Sequence, residues 1–419
     1  MPSVCLYFQI HQPYRIDSRA QVTNLEELFD VKANSSILKS VAKNCYVPTN
    51  NLLQELFQTH GSAFKASLSI SGVALEQLEL YAPDALESFV RLSQNVNTEL
   101  LSETYYHSLA SVFDTTEFIE QIELHTQKLR KLFHLTPTVF RNTELIYDNT
   151  IGNLITSLGF KGILAEGADH ILMERSPNAL YQTADSKLPL MLRNYRLSDD
   201  IGFRFSDRGW SGWPLTTEKF AAWIHGITDP NAIINIFLDY ESFGEHQKAE
   251  SGIFEFLRAF PGAILKKKGW RFLLPSEIIA EHKPLQEISF PRLTSWADSA
   301  RDLTAWTGNN MQRRALSEAY KLGKTVHSVN NLKLTESWRR LLTSDHFYYM
   351  FTKHCQDGDI HEYFSPFANP YDAFILYMSR LNDVAAIAER LKNNPVDPES
   401  FENVRGNNTY TPTTSLLPL

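Results

Sequence analysis

Cysteine is scarce: Cys5, Cys45 and Cys355 are the three in 419 residues. They lie far apart, are odd in number and form no C-x-x-C pair. Neither a disulfide framework nor a zinc knuckle is expected, and a reducing cytoplasm is the compartment that fits. Basic charge is also short. With 40 Lys and Arg against 48 Asp and Glu, the formal net charge is -8, and the one dense basic run is Lys266-Lys267-Lys268. Nucleic acid and anionic membranes are held by a concentrated basic face that displaces counterions, so neither is an expected partner. Long apolar runs are missing as well. No window approaches the roughly eighteen uninterrupted apolar residues of a membrane-spanning helix. The apolar opening, Val4–Ile10, lacks a basic leader and a small-residue cleavage site and runs directly into His11-Gln12-Pro13, so it reads as a first strand. Internal repeats and low-complexity tracts are absent from the sequence.

What remains is an ordinary globular composition, 43% hydrophobic and 21% charged, long enough for a large core with one big domain and a smaller one. Short apolar runs alternate with helical stretches, the pattern of β/α units around a parallel sheet. Expected strands are Cys5–Ile10, Phe64–Ile70, Thr98–Ser102, Thr138–Asn142, Gly162–Ala165, Leu190–Tyr195 and Ile233–Leu238, with Arg271–Leu274 a possible eighth. Between them, Leu75–Tyr81, Ala85–Gln94, Thr116–Phe133 and Thr150–Ser157 carry apolar residues at helical spacing. Seven or eight strands suggest a barrel, though a doubly wound sheet has similar local patterns. Beyond about residue 300 the strand signal fades, and Asn310–Leu322, Thr335–Cys355 and Tyr371–Leu391 read as long amphipathic helices. The expected organisation is a catalytic barrel over 1–295, a helical domain over 296–395 and an irregular tail over 396–419.

Ionisable residues recur just after the apolar runs, where an α/β barrel builds its site. His11 leaves the end of the opening strand; alone, it is more readily a buried structural histidine than a site residue. Glu144 follows Val139-Phe140, although an ion pair with Arg141 would also account for it. The densest group is Asp239-Tyr240-Glu241-Ser242-Phe243-Gly244-Glu245-His246. Acids that directly extend a buried strand cost desolvation unless they have partners or chemistry to perform. Carboxylates supplied by two different strands suit glycoside hydrolysis, in which one attacks the anomeric carbon and the other protonates the leaving oxygen. Mutual repulsion would keep one of them protonated near neutral pH. Sugar rings also stack on aromatics, and Trp210, Trp213, Trp296 and Trp306 are candidate platforms, with core or interface packing the alternative use of each.

These residues resemble glycoside hydrolase family 57, in particular its α-amylase-like branch, over nearly the whole chain. The resemblance is carried in order by His11-Gln12-Pro13, Ser71-Gly72-Val73-Ala74-Leu75-Glu76-Gln77-Leu78, Arg141–Tyr147, Leu238–His246, Ala297-Asp298 through Asn309, and Thr343–Met350. It implies an incomplete (β/α)7 barrel followed by a C-terminal helical bundle, a retaining mechanism and no obligatory metal or other cofactor. Glu144 falls at the family's nucleophile and Asp239 at its acid/base. Substrate contacts are implied for His11, Glu76, Glu241 and Asp345, with His246 beside them. Many members carry tryptophans flanking the nucleophile segment, where this chain has Arg141-Asn142-Thr143 and Tyr147.

The expected substrate is therefore an α-1,4-glucan of the starch or glycogen type. Water as acceptor would make the protein an α-amylase, and a sugar 4-hydroxyl would make it a 4-α-glucanotransferase. A metal-dependent polysaccharide deacetylase would instead need a His-x-x-x-His pair with a nearby Asp. The thirteen histidines supply none, and His107, His246 and His361 each stand alone in the sequence. A non-catalytic glucan-binding protein would keep the tryptophans without needing both acids.

Overall fold

The computed structural model describes residues 1–18, 22–352 and 365–393; the expected tail, Cys355 and His361 lie outside them. Among the described residues, ten strands occur in chain order: β1 Ser3–Ile10, β2 Ala66–Ile70, β3 Thr98–Leu100, β4 Val139–Arg141, β5 Gly162–Glu166, β6 Leu180–Thr183, β7 Pro189–Arg193, β8 Ile233–Asp239, β9 Arg271–Phe272 and β10 Glu287–Ile288. One sheet runs β3-β2-β1-β8 with β9 added to β1, and the other runs β10-β6-β7-β5-β4. A parallel bridge from Ser102 to Phe140 joins β3 to β4. Between β7 and β8 the wall closes through Asn194 N–H to the Asn235 carbonyl at 2.8 Å and Asn235 Nδ2 to the Leu192 carbonyl at 2.9 Å. β8, β1, β2, β3, β4, β5 and β7 thus form an incomplete (β/α)7 barrel. β1, β2 and β5 are buried at every residue, as expected of parallel strands covered on both faces.

The expected strands are found with shifted ends: β1, β5 and β8 extend beyond the expected bounds, while β2, β3 and β4 fall short of them. Leu190–Tyr195 stops at Arg193, because the Asn194 side chain accepts from Leu197 N–H at 3.2 Å and caps a helix over Tyr195–Gly202. β6, antiparallel to β7, and β10 were not expected; they are short additions outside the ring. Arg271–Leu274 shortens to β9, since Leu274 already caps the helix Pro275–Glu281.

The C-terminal helices span Thr304–Thr307, Asn310–Val329, Leu332–Leu341, Ser344–Tyr348 and Pro370–Asn393. Asn309 and Gln312 exchange side-chain hydrogen bonds that start the second of these. Trp338, Leu341, Phe347 and Tyr377 of this region share one apolar core with Phe118, Phe140, Ile146 and Tyr147 of the barrel. The single helix expected over Thr335–Cys355 is broken. Thr343 bridges antiparallel to Ser108, its hydroxyl donates to the Tyr106 carbonyl at 3.0 Å, and Ser344 N–H reaches the His107 carbonyl at 2.9 Å. That break turns Ser344 and Asp345 toward the barrel mouth.

Candidate active site

The carboxyl ends of the strands open into a cleft of about 610 Å3, whose walls include His11, His107, Glu144, Asp239, Glu241, His246, Trp296 and Asp345. Glu144 sits in the turn after β4 with φ 56° and ψ 24°, and Leu145 follows with φ 52°. Two successive non-glycine residues in the left-handed region are strained and need support from their surroundings. Asn142 provides it: its Oδ1 accepts from Thr143 N–H at 3.0 Å and its Nδ2 donates to the Ile146 carbonyl at 2.8 Å. The Glu144 carboxylate then meets three donors. His107 Nε2 and Ser344 Oγ lie 3.3 and 3.1 Å from Oε1, and Trp296 Nε1 donates to Oε2 at 2.6 Å. Burial pushes this carboxyl up, but the hydrogen bond and charge of His107, with the charge of Arg141, outweigh it and hold Glu144 below its usual range.

Asp239 ends β8, paired in register with Gln9 of β1. Burial first, and then the charge of Glu144, push its carboxyl up to about 6, against the cations Arg141, Arg193 and His107. Glu241, two residues on, is raised to about 8 by burial and by Asp239; Tyr46 donates to its Oε1 at 2.6 Å. Tyr46 closes a π-helical turn over Ala42–Tyr46 in which Cys45 Sγ donates to the Tyr240 carbonyl at 3.2 Å. Gly244, at φ 104°, lies so close to this turn that a Cβ would stand 2.1 Å from the Asn44 carbonyl oxygen. The 239–246 loop is thereby clamped onto the barrel. His246 is driven by burial down to about 4 and is neutral in the cleft.

His11 accepts at Nδ1 from the Ser71 hydroxyl at 2.7 Å and donates at Nε2 to Asp345 Oδ2 at 3.0 Å. Burial and the stacked His107 lower its pKa, so His11 is the neutral member of the pair and Asp345 the ionised one. Trp296 does more than offer a face. Its ring covers the buried guanidinium of Arg141 at 4.8 Å, with Arg193 at 5.5 Å. Its loop is held by Arg301, which donates to the Trp296 carbonyl and to Asp199 Oδ2 at 3.0 Å.

Other sequence-derived site residues fall elsewhere. Glu76 is not on the cleft wall; it accepts from Tyr105 at 3.0 Å and from Arg340 at 2.8 Å, tying the barrel to the helical region. Trp210 packs edge-on against Trp223, and Trp213 is exposed on the same loop, neither of them on the wall. Trp306 is the exception: though buried, it lines the cleft. His107, read as isolated, is central: it stacks on His11 at 3.9 Å and touches Glu144. Its signal was weak because the contacts come from β1, β4 and the helical region. Among the described residues, no group of three His, Cys, Asp or Glu is arranged to hold a metal ion.

The model of "Glycosyl hydrolase family 57" matches residues 5–291. The chain belongs to this family. It is 43% identical over 390 residues to a curated protein of Methanocaldococcus jannaschii named as a candidate alpha-amylase, covering 90% of this chain and 82% of that one. In solved structures it shares its fold with a family 57 branching enzyme of Thermococcus kodakaraensis, at TM-score 0.70, 12% identity and coverages of 96% and 94%. A 4-alpha-glucanotransferase of Thermococcus litoralis aligns at TM-score 0.65 and 15% identity over 91% of this chain. The chain spans 59% of that enzyme's length. The protein is a glycoside hydrolase of family 57 by this membership.

Proposed function

We propose that this family 57 glycoside hydrolase cleaves α-1,4-glucosidic bonds of starch-type glucans with retention of configuration, Glu144 serving as nucleophile and Asp239 as acid/base. The observation that carries the reading is the opposed condition of two carboxylates facing one cleft: Glu144 held ionised by donors, Asp239 raised to about 6. With the scissile bond between them, Asp239 gives its proton to the glycosidic oxygen, the C1–O bond breaks and a Glu144 oxygen bonds to C1. Water then enters. Asp239, now a carboxylate, takes its proton as oxygen bonds to C1 and the ester to Glu144 breaks.

His11, Glu241, His246 and Asp345 line the same cleft, where they can hold sugar hydroxyls. The helical region supplies Ser344 and Asp345 to it, which supports a working division near residue 295. No helix among the described residues is long and apolar enough to cross a membrane; the free, buried Cys5 and Cys45 suit a reducing cytoplasm.

Chromatography of products from maltoheptaose and soluble starch tests the reading, using wild type, Glu144→Gln and Asp239→Asn. Short maltooligosaccharides lost in both variants are expected. Products longer than the substrate would assign transfer to a sugar hydroxyl instead, and an inactive wild type would overturn the glucan assignment.

A further inference from the structure

Behind the nucleophile lies a pair of residues that the two catalytic steps do not use. Glu103 follows β3 and is fully buried. Gln9 Nε2 donates to both its oxygens, at 3.1 and 3.3 Å, and its backbone N–H donates to His125 Nδ1 at 3.2 Å. His107 Nδ1 lies 3.1 Å from Glu103 Oε2, and His107 Nε2 lies 3.3 Å from Glu144 Oε1. An imidazole can donate from both nitrogens at once only when protonated. The geometry therefore describes a carboxylate–imidazolium–carboxylate chain running from the barrel interior to the Glu144 carboxylate.

We propose that Glu103 is a positioning residue which, through His107, sets the charge and orientation of the nucleophile Glu144; this deepens the function proposed above and rests on it. The need for Glu103 follows from the chemistry of the nucleophile. When Glu144 becomes an ester it loses its charge, and a buried cation left without a partner is costly. Glu103 keeps that partner in place, so His107 remains protonated through the intermediate and is ready to stabilise the departing carboxylate in the second step.

The other charged or titratable groups facing His107 do not replace Glu103. His11 of β1 stacks on it at 3.9 Å and is neutral, and Arg141 of β4 carries the same sign as the imidazolium. Asp345 of the helical region is committed to His11, and His125, from the helix Thr115–Phe133, is lowered by burial and donates to the Ile70 carbonyl at 2.9 Å. Asp239 of β8 is raised towards its neutral form. In keeping with the chain, burial works against the imidazolium of His107, yet the hydrogen bonds and charges of Glu103 and Glu144 raise it to about 9. Burial likewise opposes ionisation of Glu103, and His107, His125 and Arg141 lower it to about 2.

The test uses Glu103→Gln, which keeps an acceptor for His107 Nδ1–H and removes the charge. In wild-type protein labelled with 15N-histidine, NMR without substrate should show His107 protonated through pH 8, and in the variant neutral at pH 7. With maltoheptaose, the variant's kcat at pH 6 should fall about tenfold to a hundredfold, KM should change less than about twofold, and the acid limb of kcat/KM should move up by about one unit. A wild-type His107 titrating near pH 6.5 overturns the proposal even if the variant does not fold, and so does an unchanged acid limb in a folded variant. The NMR reading stands without any glucan activity, so failure of the function assignment is seen separately.

Discussion

Around Glu144, two loops and the start of the helix Ser344–Tyr348 deliver an imidazole, an indole N–H and a hydroxyl within 3.3 Å of a single carboxylate. Around Asp239 lie a strand end, another acid at Glu241 and cations that act at longer range. Both groups are penalised by burial, yet one is left below its usual pKa and the other is lifted to about 6. Direct donors, rather than depth, thus decide which carboxylate stays ionised, the condition the proposed nucleophile requires. The difference also shows why each half of the site comes from a separate part of the chain: the donors to Glu144 require β4, the loop after β3 and the helical region to meet, while Asp239 needs only its own strand and the turn that clamps its loop.

The comparison breaks most completely if Glu144 loses its charge. Glu144→Gln should lower kcat on maltoheptaose by about a thousandfold or more, measured by reducing-end release, because no covalent bond to C1 can form. Asp239→Asn should cost about a hundredfold to ten-thousandfold, and with it the basic limb of the wild-type pH–rate profile near pH 6 should disappear. Trp296→Phe sharpens the contrast, since it removes the donor to Oε2 and keeps a ring over Arg141. It should lower kcat about tenfold and move the acid limb upward, as the ionised form loses one hydrogen bond.

Stability should respond in the opposite sense to activity. A carboxyl raised above its unfolded value holds its proton longer in the folded state, so folding loses stability as pH rises from the usual Asp range through about 6. Asp239→Asn, free of that penalty, should melt higher than wild type above pH 6 by calorimetry and equal it near pH 4. The smallest effect is expected at Trp213, which is 42% exposed and off the cleft wall. Trp213→Ala should leave kcat/KM on maltoheptaose within about twofold.

Much of the barrel was legible because its strands are nearly continuous apolar runs followed by polar ends: Val4–Ile10 and Ile233–Leu238 show both features. Glu144 and Asp239 stood out for the same reason, each following such a run. β6 and β10 did not, being short and peripheral. The break at Thr343 was hidden because the apolar spacing continues across it, and the contacts of Thr343 and Ser344 with Tyr106, His107 and Ser108 interrupt the helix. His107 and Glu103 could not be paired with Glu144 from spacing alone, since the link depends on how β3 and β4 lie side by side. Glu76 and Arg340, 264 positions apart, likewise declare their structural tie only in three dimensions.

The most direct test of the central claim is to identify the residue that becomes covalently linked to sugar. Asp239→Ala incubated with 5-fluoro-α-D-glucosyl fluoride, whose leaving group needs no acid and whose ester turns over slowly, should gain one glycosyl mass, mapped by peptide mass spectrometry to Glu144. An adduct on another residue, or glucan hydrolysis by wild type that releases the inverted anomer, would contradict the account.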